Sequence, residues 1–249
     1  MNKIYLYDDN FHSLIILVVE LIKLNIIPDD IKTENSYTYG LFDETLYLKI
    51  TNYKENIEYL KSKLSRRIIM SIYYVYLSEN KNKELIIYNF IRNALIYKDK
   101  VFFYRNKDCV NDVIKISKYV ANEKHKLIGF LRFKEMKNNF LYAQISPKNN
   151  VIRLISLHFK HRLPNLNWII KDKNRGIFVI YYQKKIVYLT EKEIVSLNLT
   201  LTTEEEFIED LWKTFFKTVA IKERENLKCQ RNFMPKRYWE NMIEMEDKL

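Results

Sequence analysis

The sequence predicts an α+β fold, with an N-terminal strand and helical layer, an antiparallel sheet of about four to five strands in the second half, and C-terminal helices packed on it. Three observations predict it. Residues 1–125 carry long stretches with apolar side chains at helical spacing. Residues 126–190 hold short β-rich runs divided by turn residues. A strongly amphipathic stretch starts near Thr203. Strands and helices that segregate along a chain in this way point to an α+β arrangement. With 249 residues, 47% of them apolar, the chain can bury a sizeable core. It has four prolines and no Gly/Ser-rich linker, so 1–249 is expected as a single compact unit that can be subdivided into 1–125 and 126–249.

Met1-Asn2-Lys3-Ile4-Tyr5-Leu6-Tyr7 reads as a strand. Asp8, Asp9 and Asn10 then stand where a helix cap is needed, ahead of a helix from Phe11 to about Asn25. Its apolar face includes Phe11, Leu14, Ile15, Val18, Val19 and Ile22. Paired aspartates after a strand can also bind a metal, but the helix that begins there favours capping. Thr45 to Ile50 is strand-like. Helical patterns follow over 54–79, with a break at Ser65, over 82–97 and over 108–123. In the second of these, Leu85, Tyr88, Ile91, Arg92 and Leu95 approximate the 3.6-residue period.

In the second half, Leu127 to Phe133 and Phe140 to Ile145 read as strands joined by the turn Glu135 to Asn139. A helix over Val151 to Arg162 intervenes. Trp168-Ile169-Ile170 and Ile177 to Tyr182 then form a hairpin around Asp172 to Gly176, where Gly176 supplies a left-handed turn position. Val187-Tyr188-Leu189 is a fifth strand. In the helix that begins near Thr203, Thr203 and Glu206 have capping-box spacing. Phe207, Leu211, Phe215 and Val219, flanked by Ile208, Trp212 and Phe216, form the face expected to dock on a core.

Composition excludes several chemistries. The three glycines, Gly40, Gly129 and Gly176, are far apart, so no Walker A loop or dinucleotide fingerprint can be written. There is no His-Glu-x-x-His, and two cysteines cannot supply an iron–sulfur triad. Nucleotide hydrolysis, dinucleotide redox chemistry and radical-SAM chemistry are therefore not expected of this chain, and no cofactor is called for. Cys109 and Cys229 form no disulfide framework by spacing. The apolar run Leu14 to Leu24 is broken by Glu20 and Lys23, so no membrane contact is expected and the cytoplasm is the expected compartment.

The formal charge is +11 and unevenly spread, because residues 1–60 hold five Lys/Arg against ten Asp/Glu. The remainder then carries +16, which suggests an anion-facing side. Residues 151–185 hold eight Lys/Arg and one acid. Within them Arg153, His158, Arg162 and Arg175 are suited to phosphate contact. His158 and His161, at i and i+3, share one helix face, but a metal site needs more ligands and only Asp172 is near in sequence. Near the C-terminus Arg224, Lys228 and Arg231 fall on one face if the helix continues past Ile221. Pro235 then opens a short final helix bearing Lys236, Arg237, Tyr238 and Trp239. Cations interleaved with rings suit single-stranded nucleic acid, while the plainer reading puts the rings in a core and the cations in water.

Leu211-Trp212-Lys213-Thr214-Phe215-Phe216, Ile221-Lys222-Glu223-Arg224 and Met234-Pro235-Lys236-Arg237-Tyr238-Trp239 resemble the C-terminal signature of a bacterial family described as probable DNA metabolism proteins. Tyr5-Leu6-Tyr7-Asp8, Gly129-Phe130-Leu131-Arg132-Phe133 with Leu141-Tyr142-Ala143, and His158-Phe159 with Arg162, Trp168, Asp172 and Arg175 extend the resemblance over nearly the whole chain. The resemblance implies a DNA repair or modification context. Its partner would be a radical-SAM protein encoded nearby, or a uracil-DNA glycosylase-like domain, to which some members are fused. It implies no mechanism.

Three functions follow as expectations. The first is a DNA-binding accessory protein that works with a separate partner enzyme and has no catalytic activity of its own. The second is a nucleic-acid-processing enzyme using His158 with Asp172 or Glu135 in acid–base roles. The third is a protein-interaction module whose aromatic tail docks on the partner. The first is favoured, with the third folded into it.

Overall fold

A three-stranded parallel sheet opens the computed structural model, which describes residues 2–38, 40, 43–48, 53–137, 139–194, 200–224 and 226–248. The chain divides into two compact units, Met1–Ala121 and Asn122–Leu249. Each is described by itself.

In the first unit β1 (Asn2–Tyr7) lies between β2 (Asp30–Thr33) and β3 (Asp43–Leu46), parallel to both. Ile4, Tyr5, Leu6 and Tyr7 are all buried, as a central parallel strand covered on both faces requires. Helix α1 (Phe11–Lys23) follows as expected, with the Asn10 side chain accepting the Ser13 N–H at 2.8 Å. It ends in a left-handed Asn25, φ 55°, with the Ile26 N–H returning to the Leu21 carbonyl. More of the helix is buried than one face, since Ile16, Leu17 and Leu21 are inside as well.

Of the strand expected over Thr45 to Ile50, Thr45 and Leu46 belong to β3, while Lys49 and Ile50 lie outside the described residues. The expected helices are present as α2 (Tyr53–Lys63), α3 (Arg66–Tyr76), α4 (Lys83–Tyr97) and α5 (Asp108–Phe130). Ser65 caps α3 at the anticipated break. Leu14, Val18 and Leu21 share a continuous core with Ile68, Ile72, Ile87 and Phe90.

Helix α5 overturns one expectation. Leu127 to Phe130 are its last turn, and the strand that follows, β4, is only Lys134–Glu135. A growing helix adds one hydrogen bond per residue, so β-rich side chains at its end are carried along. The second unit builds a five-stranded sheet in the order β4-β5-β6-β7-β8, with β5 (Leu141–Ile145), β6 (Trp168–Asp172), β7 (Ile177–Tyr182) and β8 (Lys185–Thr190). The sheet is mixed where an antiparallel one was expected, because β5 and β6 run parallel. Helix α6 (Ile152–Arg162) is the crossover that joins them, and two parallel neighbours need such a connection. The β6–β7 hairpin turns where expected, with Gly176 at φ 61°.

Helix α7 (Thr203–Val219) starts at Thr202 and not at a Thr203 box: the Thr202 hydroxyl accepts the Glu205 N–H at 3.1 Å. The Glu205 carboxylate reaches the Glu135 N–H at 2.9 Å, and the Thr202 N–H reaches the Glu135 carbonyl. The helix entry is thereby fastened to β4. The helix does not continue past Ile221: after α7 come a 3₁₀ turn, Lys222–Arg224, then α8 (Leu227–Phe233) and two further 3₁₀ segments, Lys236–Asn241 and Ile243–Lys248. No described helix is long and apolar enough to cross a membrane.

Candidate nucleic-acid interface

Helix α6 is divided sharply between inside and outside. Ile152, Ile155, Ser156 and Phe159 are buried, with the Phe159 ring edge-on to Phe133 at 5.1 Å. Arg153, Leu157, His158, His161 and Arg162 are exposed on the other side. The helix is pinned to β8 by Tyr188, whose ring lies 4.5 Å beneath the Arg153 guanidinium and whose hydroxyl is 3.1 Å from that of Ser156. Beyond its C-terminus, the Pro164 carbonyl accepts from the Tyr181 hydroxyl at 3.0 Å. That bond brings the basic end of α6 to the β7–β8 turn, where Tyr182, Gln183, Lys184 and Lys185 are exposed. Phe140 stacks on Tyr182 with ring centroids 5.8 Å apart. Cations and an exposed ring thus share one end of the sheet.

The sequence did not point to this turn. Gln183 and Lys184 take φ of 48° and 63°, a two-residue turn with both central positions left-handed, and such turns are ordinarily marked by Asn or Gly.

The remaining predicted residues go elsewhere. Asp172 is fully buried; its carboxylate accepts from the Asn174 N–H and pairs with Arg175 at 3.2 Å. Burial raises its pKa, and the Arg175 charge opposes the rise. Arg175 also donates to the carbonyls of Pro147 and Lys148. Its guanidinium therefore closes a turn of its own protein instead of reaching outward, and Asp172 is not presented to a substrate as an acid–base residue. Glu135, the other carboxylate considered for that role, is exposed on β4.

Tyr238 and Trp239 are 1% and 2% exposed, which removes both from base stacking. The Trp239 Nε1–H donates to the Met234 carbonyl at 2.8 Å, and its ring packs with Met242, Met245, Phe130 and Phe216. Tyr238 donates to the carboxylate of Glu123 at 2.8 Å. Glu123, buried in α5, also takes the N–H groups of Lys148 and Asn149. Nothing local in the sequence singles out this carboxylate, because its donors come from far along the chain. Lys236 and Arg237 stay exposed, over the Trp239 and Tyr238 rings at 5.6 and 4.6 Å. Arg224 and Arg231 are exposed beyond α7, Arg224 lining a groove between α7 and α8. His161 and His158 are both exposed, and among the described residues no three His, Cys, Asp or Glu side chains are placed to hold a metal.

The face expected to bury α7 is also corrected. Phe207, Leu211, Phe215 and Val219 are each more than half exposed. The helix is held instead through Glu205, through Glu209 paired with Lys134 at 2.7 Å, through the Trp212 Nε1–H to Glu244 at 3.3 Å, and through Phe216.

No curated protein matches this chain. The model of a domain of unknown function, DUF4130, matches residues 81–244. That match takes in α4, α5, the whole mixed sheet and the segment that seats Tyr238 on Glu123, so the chain belongs to the DUF4130 family.

Proposed function

We propose that the protein is a DNA-binding accessory factor that acts with a separate partner enzyme, and that the outer side of α6 with the β7–β8 turn is its phosphate-contacting surface. The supporting observation is the exposure of Arg153, His158 and Arg162 on one helix, adjoining Lys184, Lys185 and Tyr182. Residues 151–185, which supply that surface, hold eight Lys/Arg against Asp172 alone, and Asp172 is buried. Cations set along a helix neutralise successive phosphates and release counterions, while Tyr182 offers a face for an unpaired base. Lys236 and Arg237 extend the same basic character, as rim cations over buried rings. A role beside a radical-SAM or uracil-DNA glycosylase-like enzyme rests on the resemblance of the Leu211–Phe216 and Met234–Trp239 strings.

Fluorescence anisotropy of the full chain with single-stranded, duplex and uracil-containing DNA over a salt series tests the reading. Binding that weakens steeply with salt is the expected result. Absence of binding to every form at low salt would overturn it.

A further inference from the structure

Helix α7 leaves its most apolar side uncovered. Phe207 is 65% exposed, Leu211 52%, Phe215 55% and Val219 54%, with Ile208 and Trp212 beside them. Those six side chains present on the order of 600 Å² of surface, at the upper end of what a monomer ordinarily leaves open. We infer that α7 is the interface of a two-fold dimer, in which it packs antiparallel against α7 of a second copy of this chain. The surface is separate from the outer side of α6, so the inference stands apart from DNA binding.

Three observations select a second copy as the occupant. The first is spacing. Positions 207, 211, 215 and 219 are symmetric about Lys213. A two-fold axis there sets Leu211 against Phe215 of the second copy and Phe207 against its Val219. At that end lies a groove of about 470 Å³ lined by Val219, Ile221 and Leu227, suited to receive the Phe207 ring.

The second is charge. Thr203–Asp210 contains five acidic residues and no basic one, whereas Leu211–Arg224 contains Lys213, Lys217, Lys222 and Arg224 against Glu223 alone. Antiparallel pairing sets the acidic half on the basic half twice over and opposes the helix dipoles; parallel pairing would set like on like. Glu204 and Arg224, both exposed, carry that contrast at opposite ends of the segment.

The third is area. A stable interface covers about 800 Å² on each partner. The six α7 side chains with the groove at its end come close to that. An isologous contact uses the same patch on both chains and closes on itself, so it stops at two copies.

Sedimentation velocity of the full chain tests this. The expected species has twice the 30.4 kDa mass of one chain and dissociates on dilution through the micromolar range. The double variant Leu211→Asp/Phe215→Asp is expected to sediment as a monomer with an unchanged circular dichroism spectrum, since both side chains are exposed. Glu204→Arg or Arg224→Glu alone should weaken the dimer by about two- to fivefold, and the two together should restore it. A wild-type chain that stays monomeric, or a folded Leu211→Asp/Phe215→Asp variant that still dimerises, would overturn the interface. A dimer indifferent to both single reversals would overturn the antiparallel register.

Discussion

The hydroxyl of Tyr238 donates to the buried carboxylate of Glu123 across 2.8 Å, although 115 residues separate them in the chain. Burial pushes the Tyr238 phenol well above its ordinary pKa, which keeps it a proton donor to the carboxylate. Glu123 also binds the Lys148 and Asn149 N–H groups and the Asn149 side chain, so one carboxylate joins α5, the loop ahead of α6 and the C-terminal segment. The Arg237 guanidinium lies 3.7 Å away and supplies the opposite charge. The string that ends in Tyr238 and Trp239 is thus an internal latch with Lys236 and Arg237 on its outer rim.

Loss of the Tyr238 hydroxyl should therefore cost stability. Tyr238→Phe is expected to destabilise by about 1–2 kcal/mol, and Glu123→Ala by about 3 kcal/mol or more, because several buried donors lose their acceptor at once. Urea denaturation followed by circular dichroism measures both. The double variant should cost less than the sum of the two, since they share one bond.

Arg175 is expected to behave as a structural residue. Arg175→Ala leaves Asp172 buried without its ion pair and should cost about 3 kcal/mol in the same denaturation experiment. Arg175→Lys should recover little, since an ammonium cannot fork to Asp172 and the carbonyls of Pro147 and Lys148 together.

Glu84 provides a pH signature. Burial raises its pKa above the ordinary glutamate value, against the opposing influence of Lys83, of the 3.1 Å bond from Tyr7 and of Lys32. A carboxyl with a raised pKa in the folded state keeps a proton that the unfolded chain has released. Its contribution to stability therefore declines as pH rises from the ordinary value through the raised one. Glu84→Gln keeps an acceptor for Tyr7 and removes the charge. Thermal melts should show it more stable than the wild type at about pH 7 and little changed at about pH 4.

The parts of the fold legible in the sequence are those set by neighbours in the chain. Asn10 caps α1, Ser65 breaks α2 from α3, and Gly176 turns β6 into β7, each through bonds or torsions within a few residues. Parallel pairing of β5 with β6 was not legible, because it depends on where α6 returns the chain. The outward side of α7 is not legible for a related reason: an apolar stripe marks a face that favours burial, but does not say whether its own chain supplies the cover. The candidate interface was partly legible. Arg153, His158 and Arg162 are exposed together, while Arg175, Tyr238 and Trp239 look identical in composition and are taken up by the protein's own carboxylates and core.

The decisive comparison is DNA affinity across a salt series for the wild type, Arg153→Glu/Arg162→Glu and Arg175→Ala. If the outer side of α6 holds phosphates, the double reversal should weaken binding at least about tenfold and lower the salt slope by about two, while folded Arg175→Ala keeps wild-type affinity. Equal affinity and slope for the wild type and the double reversal would contradict the assignment of that surface.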